Sequence, residues 1–190
     1  MKNNSITKQI VALATAAFLT LTAVSSTNAQ NNEALNHIRL GAEQIAQLGL
    51  PYVFGGSHPS DGGMDCSGCL MHLLSNVGIT NIPRTSYHQY EWLLANNSMK
   101  HTNKIPSGSK ANGLKPGDLI FWGGTYESGH KVSHVMLYLG QGADGTHYMF
   151  GARGTDESVK GVNGAGVDIH VLNAGFQKNL IGYGTLPGLG

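Results

Sequence analysis

Cysteine is nearly missing from this chain: Cys66 and Cys69 are its only two. So few cannot build the disulfide framework that holds small exported domains together, and a disulfide-stapled scaffold is excluded. Charge excess of either sign is missing too. Residues 1–29 hold Lys2, Lys8 and no acid, and removing those 2 from the 12 basic residues leaves 10 against 11 acids. Nucleic-acid binding rests on clustered Lys and Arg that neutralise phosphates, so it has no support here. A long apolar run is also lacking: Ile10 to Val24 is about 15 residues, short of the about 20 that a membrane span needs. There is no internal repeat.

What is present begins with that same short run. Lys2 and Lys8, the apolar Ile10–Val24 and the small polar Ser25-Ser26-Thr27-Asn28-Ala29 are the three parts of a secretory signal peptide, with cleavage expected after Ala29. No cysteine lies near the cleavage point to take a lipid anchor. Residues 30–190 then make one domain of about 160 residues, a common size for a single core. Glycine is abundant, 27 of 190. These glycines punctuate apolar segments, which marks turns and close backbone approaches and not a low-complexity tract.

Leu35, Ile38, Ala42 and Ile45 recur at spacings of three and four, so residues 33–48 read as an amphipathic helix ended by Gly49 and Pro51. Residues 52–56 read as a short extended piece and Ser57 to Gly63 as a loop. Cys66 to Val77 suits a second helix with Asp65 as its N-cap and Gly78 as its stop. A third helix begins near Thr85 or Ser86 and runs through Leu94. Residues 96–113 are polar and read as a long surface loop, and Pro116-Gly117 as a turn. Strands are expected at 118–122, 132–139, 146–151, 167–172 and 179–185. Helices first and strands second, with no alternating unit, predict an α+β fold with an antiparallel sheet.

The chemistry centres on Asp65-Cys66-Ser67-Gly68 and, 68 residues on from Cys66, on His134. A thiolate is the nucleophilic form of cysteine, and a helix N-terminus stabilises it through unpaired N–H groups and the positive end of the dipole. The same N–H groups can stabilise an oxyanion. A nearby imidazolium would lower the thiol pKa further. In the strand around His134, alternation sets the ring on a face with Val132, Met136 and Tyr138, where it is costly unless partnered. A lone buried cysteine is equally a small hydrophobe, and a lone histidine is more often a core residue.

The flanking blocks carry a resemblance. Pro51-Tyr52-Val53-Phe54-Gly55-Gly56, Asp65-Cys66-Ser67-Gly68, Pro83-Arg84-Thr85-Ser86, Leu114-Lys115-Pro116-Gly117-Asp118-Leu119 and His134-Val135-Met136-Leu137-Tyr138-Leu139-Gly140 follow in the order of the NlpC-type cell-wall peptidases. The resemblance implies a papain-like fold: N-terminal helices packed on an antiparallel sheet of five to six strands. It implies cleavage of peptidoglycan stem peptides, typically between D-glutamate and a diamino acid. It makes Cys66 the nucleophile and His134 the general base, with Tyr52 at the oxyanion hole. Asp65 and Ser67 match residues that contact the free amine of the stem peptide, a role compatible with the N-cap. The third polar residue, which orients the base, commonly lies about a dozen positions after the histidine. His147 is near that spacing; if the widened turn at Gln141–Gly145 is instead aligned by its apolar pattern, Phe150 takes the place and the residue is absent.

Other residues have plainer readings. Cys69 stands where the resemblance calls for an apolar residue, and geometry at i and i+3 of a helix disfavours a Cys66–Cys69 disulfide, so both are expected to stay reduced. The C-x-x-C form also allows a thiol-disulfide protein, but a loop and not a buried strand precedes it. The remaining histidines form no short-spaced pair with the cysteines, so no metal site is expected. Arg84 and Arg153 are able to recognise a carboxylate in a bidentate way. Trp92 and Trp122 read as packing.

The expectation is an exported cysteine peptidase or amidase, periplasmic or secreted, acting on peptidoglycan stem peptides. It would be a monomer, with no metal or organic cofactor, no nucleic acid and no membrane partner after signal cleavage. The alternatives are a catalytically weakened wall-binding module and a periplasmic C-x-x-C thiol-disulfide protein. No wall-targeting repeat is recognisable.

Overall fold

The computed structural model describes residues 29–102, 113–154, 161–162, 166–173 and 178–189. The expected signal segment, apart from Ala29, lies outside them. Of the unit Met1–Ala34 only residues 29–34 are described, as helix. Everything else belongs to the unit Leu35–Gly190.

Helix α1 of that unit runs through residues 35–46 and buries Ile38, Ala42, Ile45 and Ala46, the stripe its spacing predicts. Gly41 lets it press against the next helix: a Cβ there would lie 2.7 Å from the Leu73 side chain. Strands β1 (Ser57–His58) and β2 (Gly63–Met64) form a small antiparallel hairpin where a plain loop was expected. Its tip is a 3₁₀ turn over Pro59–Asp61, and the Asp61 carboxylate accepts from the Ser57 and His58 N–H groups at 2.9 and 3.0 Å. That side-chain hydrogen bonding closes a turn with no apolar pattern to announce it.

Helices α2 (Cys66–Asn76) and α3 (Ser86–Ala95) follow close to their expected places. Then come β3 (Met99–His101), β4 (Asp118–Trp122), β5 (His134–Gln141), β6 (His147–Ala152), β7 (Val167–Val171) and β8 (Leu180–Thr185). These six make one antiparallel sheet in the order β3-β8-β4-β5-β6-β7. The architecture is α+β, with a six-stranded antiparallel sheet beside the two-stranded one. Strand β3 falls in the stretch read as loop. It is an edge strand, held to β8 by backbone pairing of Met99 with Gly184 and His101 with Gly182. An edge needs no apolar alternation, so its sequence gives no sign of it.

Both faces of the sheet are covered. Leu119, Phe121, Val135, Leu137 and Phe150 point to the helices, where they meet Leu70, Leu73, Leu74 and Leu93. Ile120, Trp122, Met136, Tyr138, Met149 and Tyr183 form a second cluster on the other face. All five residues of β4 are therefore buried. Met136 and Tyr138 share a cluster as alternation predicts, but Val132 packs into the first one, because it precedes β5 and escapes the strand period. Each fully buried Leu or Phe contributes about 1.5–3 kcal/mol, so the helix-facing cluster fixes α2 on the sheet and with it the position of Cys66.

Candidate active site

Cys66 opens α2 because Asp65 caps it. The Asp65 backbone is extended, and its Oδ1 accepts the Gly68 N–H at 2.7 Å. Gly68 is required there: a Cβ would lie 2.1 Å from the Gly56 carbonyl oxygen. That contact sets the helix start against residues 51–56. The same segment runs beside Met64, with Val53 N–H on the Met64 carbonyl at 3.2 Å and Asp65 N–H on the Gly56 carbonyl at 3.0 Å. Tyr52 thereby lands beside Cys66.

The Cys66 residue is 5% exposed. Burial pushes its thiol up to about 11, with the Asp65 charge adding to the rise, while the Val135 and Ser67 amides favour the thiolate without offsetting it. A helix N-terminus alone predicts the opposite direction, so here desolvation outweighs the amides. The thiol lines a cavity of about 310 Å³ with Tyr52, Asp65, Arg84, Tyr87 and Tyr126.

His134 begins β5 opposite Trp122, whose ring centroid is 5.7 Å away. It lines a cavity of about 660 Å³ with Tyr52, Phe54, Thr125, Tyr126 and Arg153. The two cavities share Tyr52, Phe54 and Tyr126. Burial, with the Arg153 and His170 charges adding to it and Asp65 opposing, lowers the imidazole to about 3. Its Nε2 is buried with no hydrogen-bond partner among the described residues. Burial thus favours the neutral form of both the thiol and the imidazole. Burial and the neighbouring acidic groups raise the Tyr52 phenol above its ordinary value, so it stays an O–H donor.

Asp65 is not a free carboxylate. Arg84 holds it in a fork, Nη1 on Oδ1 at 2.9 Å and Nη2 on Oδ2 at 2.8 Å, while Ser67 Oγ and the Gly55 and Gly68 N–H groups also donate to it. The anion is thus held in place as the helix cap while it also lines the Cys66 cavity. Ser67 belongs to the same network, its hydroxyl accepting from Arg84 Nη1 at 3.2 Å and its carbonyl from Gln89 Nε2 at 3.2 Å. Sequence reasoning assigned no role to Gln89; it expected Arg84 able to hold a carboxylate in a bidentate way, and the carboxylate it holds is that of Asp65. The block Pro83-Arg84-Thr85-Ser86 was the available signal.

His147 is not brought to His134. The register pairs it with Gln141, at the opposite end of β5 from His134. Seven residue steps separate these ends of β5, about 23 Å at the usual rise. The His147 ring instead meets the Tyr138 hydroxyl. Phe150 pairs with Leu137 and packs in the helix-facing core, so neither alignment supplies an orienting residue from β6. Cys69 is fully buried, with its thiol on the Cys66 carbonyl at 3.2 Å, and both cysteines are free. Among the described residues no group of His, Cys, Asp and Glu is arranged to hold a metal ion, and no helix is long and apolar enough to cross a membrane.

Fold and site define an α+β protein with a helix-borne thiol and a strand-borne imidazole on adjoining cavities. Residues 49–182 match the NlpC/P60 family profile, and the chain belongs to the NlpC/P60 family. It is 33% identical over 145 residues to the bifunctional muramidase/DL-endopeptidase CwlT of Bacillus subtilis, covering 76% of this chain and 35% of that protein. It is 34% identical over 109 residues to the peptidoglycan endopeptidase RipA of Mycobacterium tuberculosis, covering 52% of this chain and 19% of that one. A solved Staphylococcus aureus structure described as similar to lipoprotein, NLP/P60 family, superposes with a TM-score of 0.56 at 27% identity, over 80% of this chain and 41% of that one. The chain thus spans about a third or less of the length of these two curated relatives.

Proposed function

We propose that this chain is an exported cysteine peptidase or amidase that hydrolyses peptidoglycan stem peptides at the bond between D-glutamate and the diamino acid. The observation that carries the reading is the placement of Cys66 and His134 on adjoining cavities that share Tyr52. Relatives named as a DL-endopeptidase and a peptidoglycan endopeptidase support the substrate class. The signal-like residues 1–29 support export, with residues 30–190 as the working domain.

In the proposed course His134 takes the Cys66 proton, and the thiolate adds to the scissile carbonyl carbon, forming the C–S bond. The oxyanion is stabilised by N–H groups at the start of α2 and by the Tyr52 hydroxyl. The C–N bond breaks as His134 returns its proton to the leaving amine. Water, deprotonated by His134, then cleaves the thioester and the thiol is restored. Asp65, Ser67 and Arg84 act through position: they fix the helix start that holds the nucleophile. Burial favours the neutral forms of both groups, so the proton transfer relies on the α2 N–H groups and the Tyr52 hydroxyl to stabilise the negative charge as it passes to the substrate oxygen.

Digestion of purified peptidoglycan, with the released peptides identified by mass spectrometry, tests the reading. Fragments ending at the D-glutamyl bond are expected. A lone His134 Nε2 also suits a catalytically weakened wall-binding module, which would bind the wall and release nothing.

A further inference from the structure

Val53-Phe54-Gly55-Gly56 is a tight turn: the Gly56 N–H donates to the Val53 carbonyl at 2.9 Å, and Gly55, with φ at 85°, donates its N–H to Asp65 Oδ2 at 3.0 Å. Turn corners favour small and polar residues. This one carries Phe54, 72% exposed, the most exposed large hydrophobic residue among those described. Tyr126, 46% exposed, meets it from the loop between β4 and β5, edge to face, with ring centroids 5.7 Å apart and planes at 86°. That loop is firmly braced. The Thr125 N–H and hydroxyl meet Ser133 Oγ at 2.9 and 2.7 Å, and a Cβ on Gly123 would lie 2.4 Å from the Lys131 carbonyl oxygen. Its far side docks on α3, where the His130 ring stacks on Tyr87 at 3.7 Å and Lys131 Nζ lies 3.3 Å from the Tyr90 hydroxyl. Phe54 and Tyr126 each line both the Cys66 cavity and the His134 cavity. They stand at the boundary that a substrate must cross to meet both groups.

We infer that Phe54 and Tyr126 are specificity-determining residues of this site, a paired aromatic grip for the aliphatic part of the stem peptide beside the scissile amide. The inference rests on the peptidase reading above and names what holds that substrate. The rings carry no charge, and the Asp65 and Arg84 charges in the Cys66 cavity are paired with each other. The shared mouth of the two cavities is therefore suited to C–H groups. A stem peptide offers these as alanine methyls and as the methylenes of D-glutamate and the diamino acid. Covering exposed rings with such groups removes apolar surface from water on both partners. Each ring is held by the other before substrate arrives, so little ordering cost is left for binding. Contacts at the mouth are the same in the bound substrate and in the transition state, so their contribution falls on KM and not on kcat.

The test measures kcat and KM on a stem tetrapeptide for the wild type, Phe54→Ala, Tyr126→Ala, Tyr126→Phe and the double alanine variant, with the denaturation midpoint of each. Phe54→Ala and Tyr126→Ala are each expected to raise KM about 10-fold, with kcat within about twofold of wild type and an unchanged midpoint, since both side chains are exposed. Tyr126→Phe keeps the ring and should keep the wild-type KM. The double variant should be little worse than either single one, because the two rings act together. Unchanged KM in both single alanine variants would overturn the inference. So would a loss confined to kcat, a Tyr126→Phe protein as poor as Tyr126→Ala, or a lowered midpoint that accounts for the loss. Failure of the wild type to cut the peptide would instead remove the peptidase reading, and this inference with it.

Discussion

Arg84 grips Asp65 with both terminal nitrogens of its guanidinium, at 2.9 and 2.8 Å, one residue before the cysteine. The pair joins the start of α3 to the start of α2 and to residues 55–56, so the position of Cys66 depends on it.

Arg84→Ala should therefore cost about 1–3 kcal/mol of stability, the range for leaving a partly buried polar group unpaired, together with much of the activity. Lysine keeps the charge but not the fork, so Arg84→Lys should recover only part of either. Denaturant unfolding and kcat/KM measured side by side check this.

Acid should erase part of the same contribution. Burial pushes the Asp65 carboxyl up, yet Arg84 and the Gly68 and Gly55 N–H groups outweigh burial and hold it below its ordinary 3.8. A carboxyl depressed in the folded state stabilises above its unfolded value, and that stabilisation is lost as pH falls through the folded one. The stability gap between wild type and Asp65→Asn is expected to be constant near neutrality and to shrink below pH 3.8.

With its thiol raised to about 11, Cys66 in the ligand-free protein should alkylate slowly at neutral pH. The rate should climb about tenfold per pH unit up to that value, as the thiolate fraction does. Iodoacetamide labelling followed across pH measures it; a plateau reached near pH 7 would mean that an imidazolium partner already stabilises the thiolate.

His147 and Cys69 separate the present site from its alternatives. His147→Ala should retain turnover and lose about 1 kcal/mol through its Tyr138 partner, whereas His134→Ala should lose about 100-fold or more in rate. Cys69→Ala removes a buried sulfur, with a cost of about 1 kcal/mol and most turnover retained. A thiol-disulfide protein would lose its activity with Cys69.

Much of the fold is legible in the sequence because apolar periods are long and capped: Ile38, Ala42 and Ile45 announce α1, and Asp65 with Gly78 bounds α2. Strand β3 and the β1–β2 hairpin are not, since backbone pairing at an edge and the Asp61 turn leave no apolar pattern. At the site, ordered motif blocks lead to Cys66, His134 and Tyr52. Spacing counts residues and not register: it sets His147 about a dozen positions after His134, whereas the strands pair it with Gln141, at the other end of β5. The Arg84–Asp65 pair is invisible for the same reason, being a contact of residues 19 apart that only the packing of α2 and α3 creates.

As the proposed nucleophile, Cys66 should form a covalent bond with the acyl part of the stem peptide. The most direct measurement is to quench a stem-peptide digest with acid and map adducts by mass spectrometry, beside the Cys66→Ala protein. The acyl-side fragment is expected on Cys66 in the wild type, with neither adduct nor product from Cys66→Ala. Product released by Cys66→Ala at the wild-type rate would contradict it.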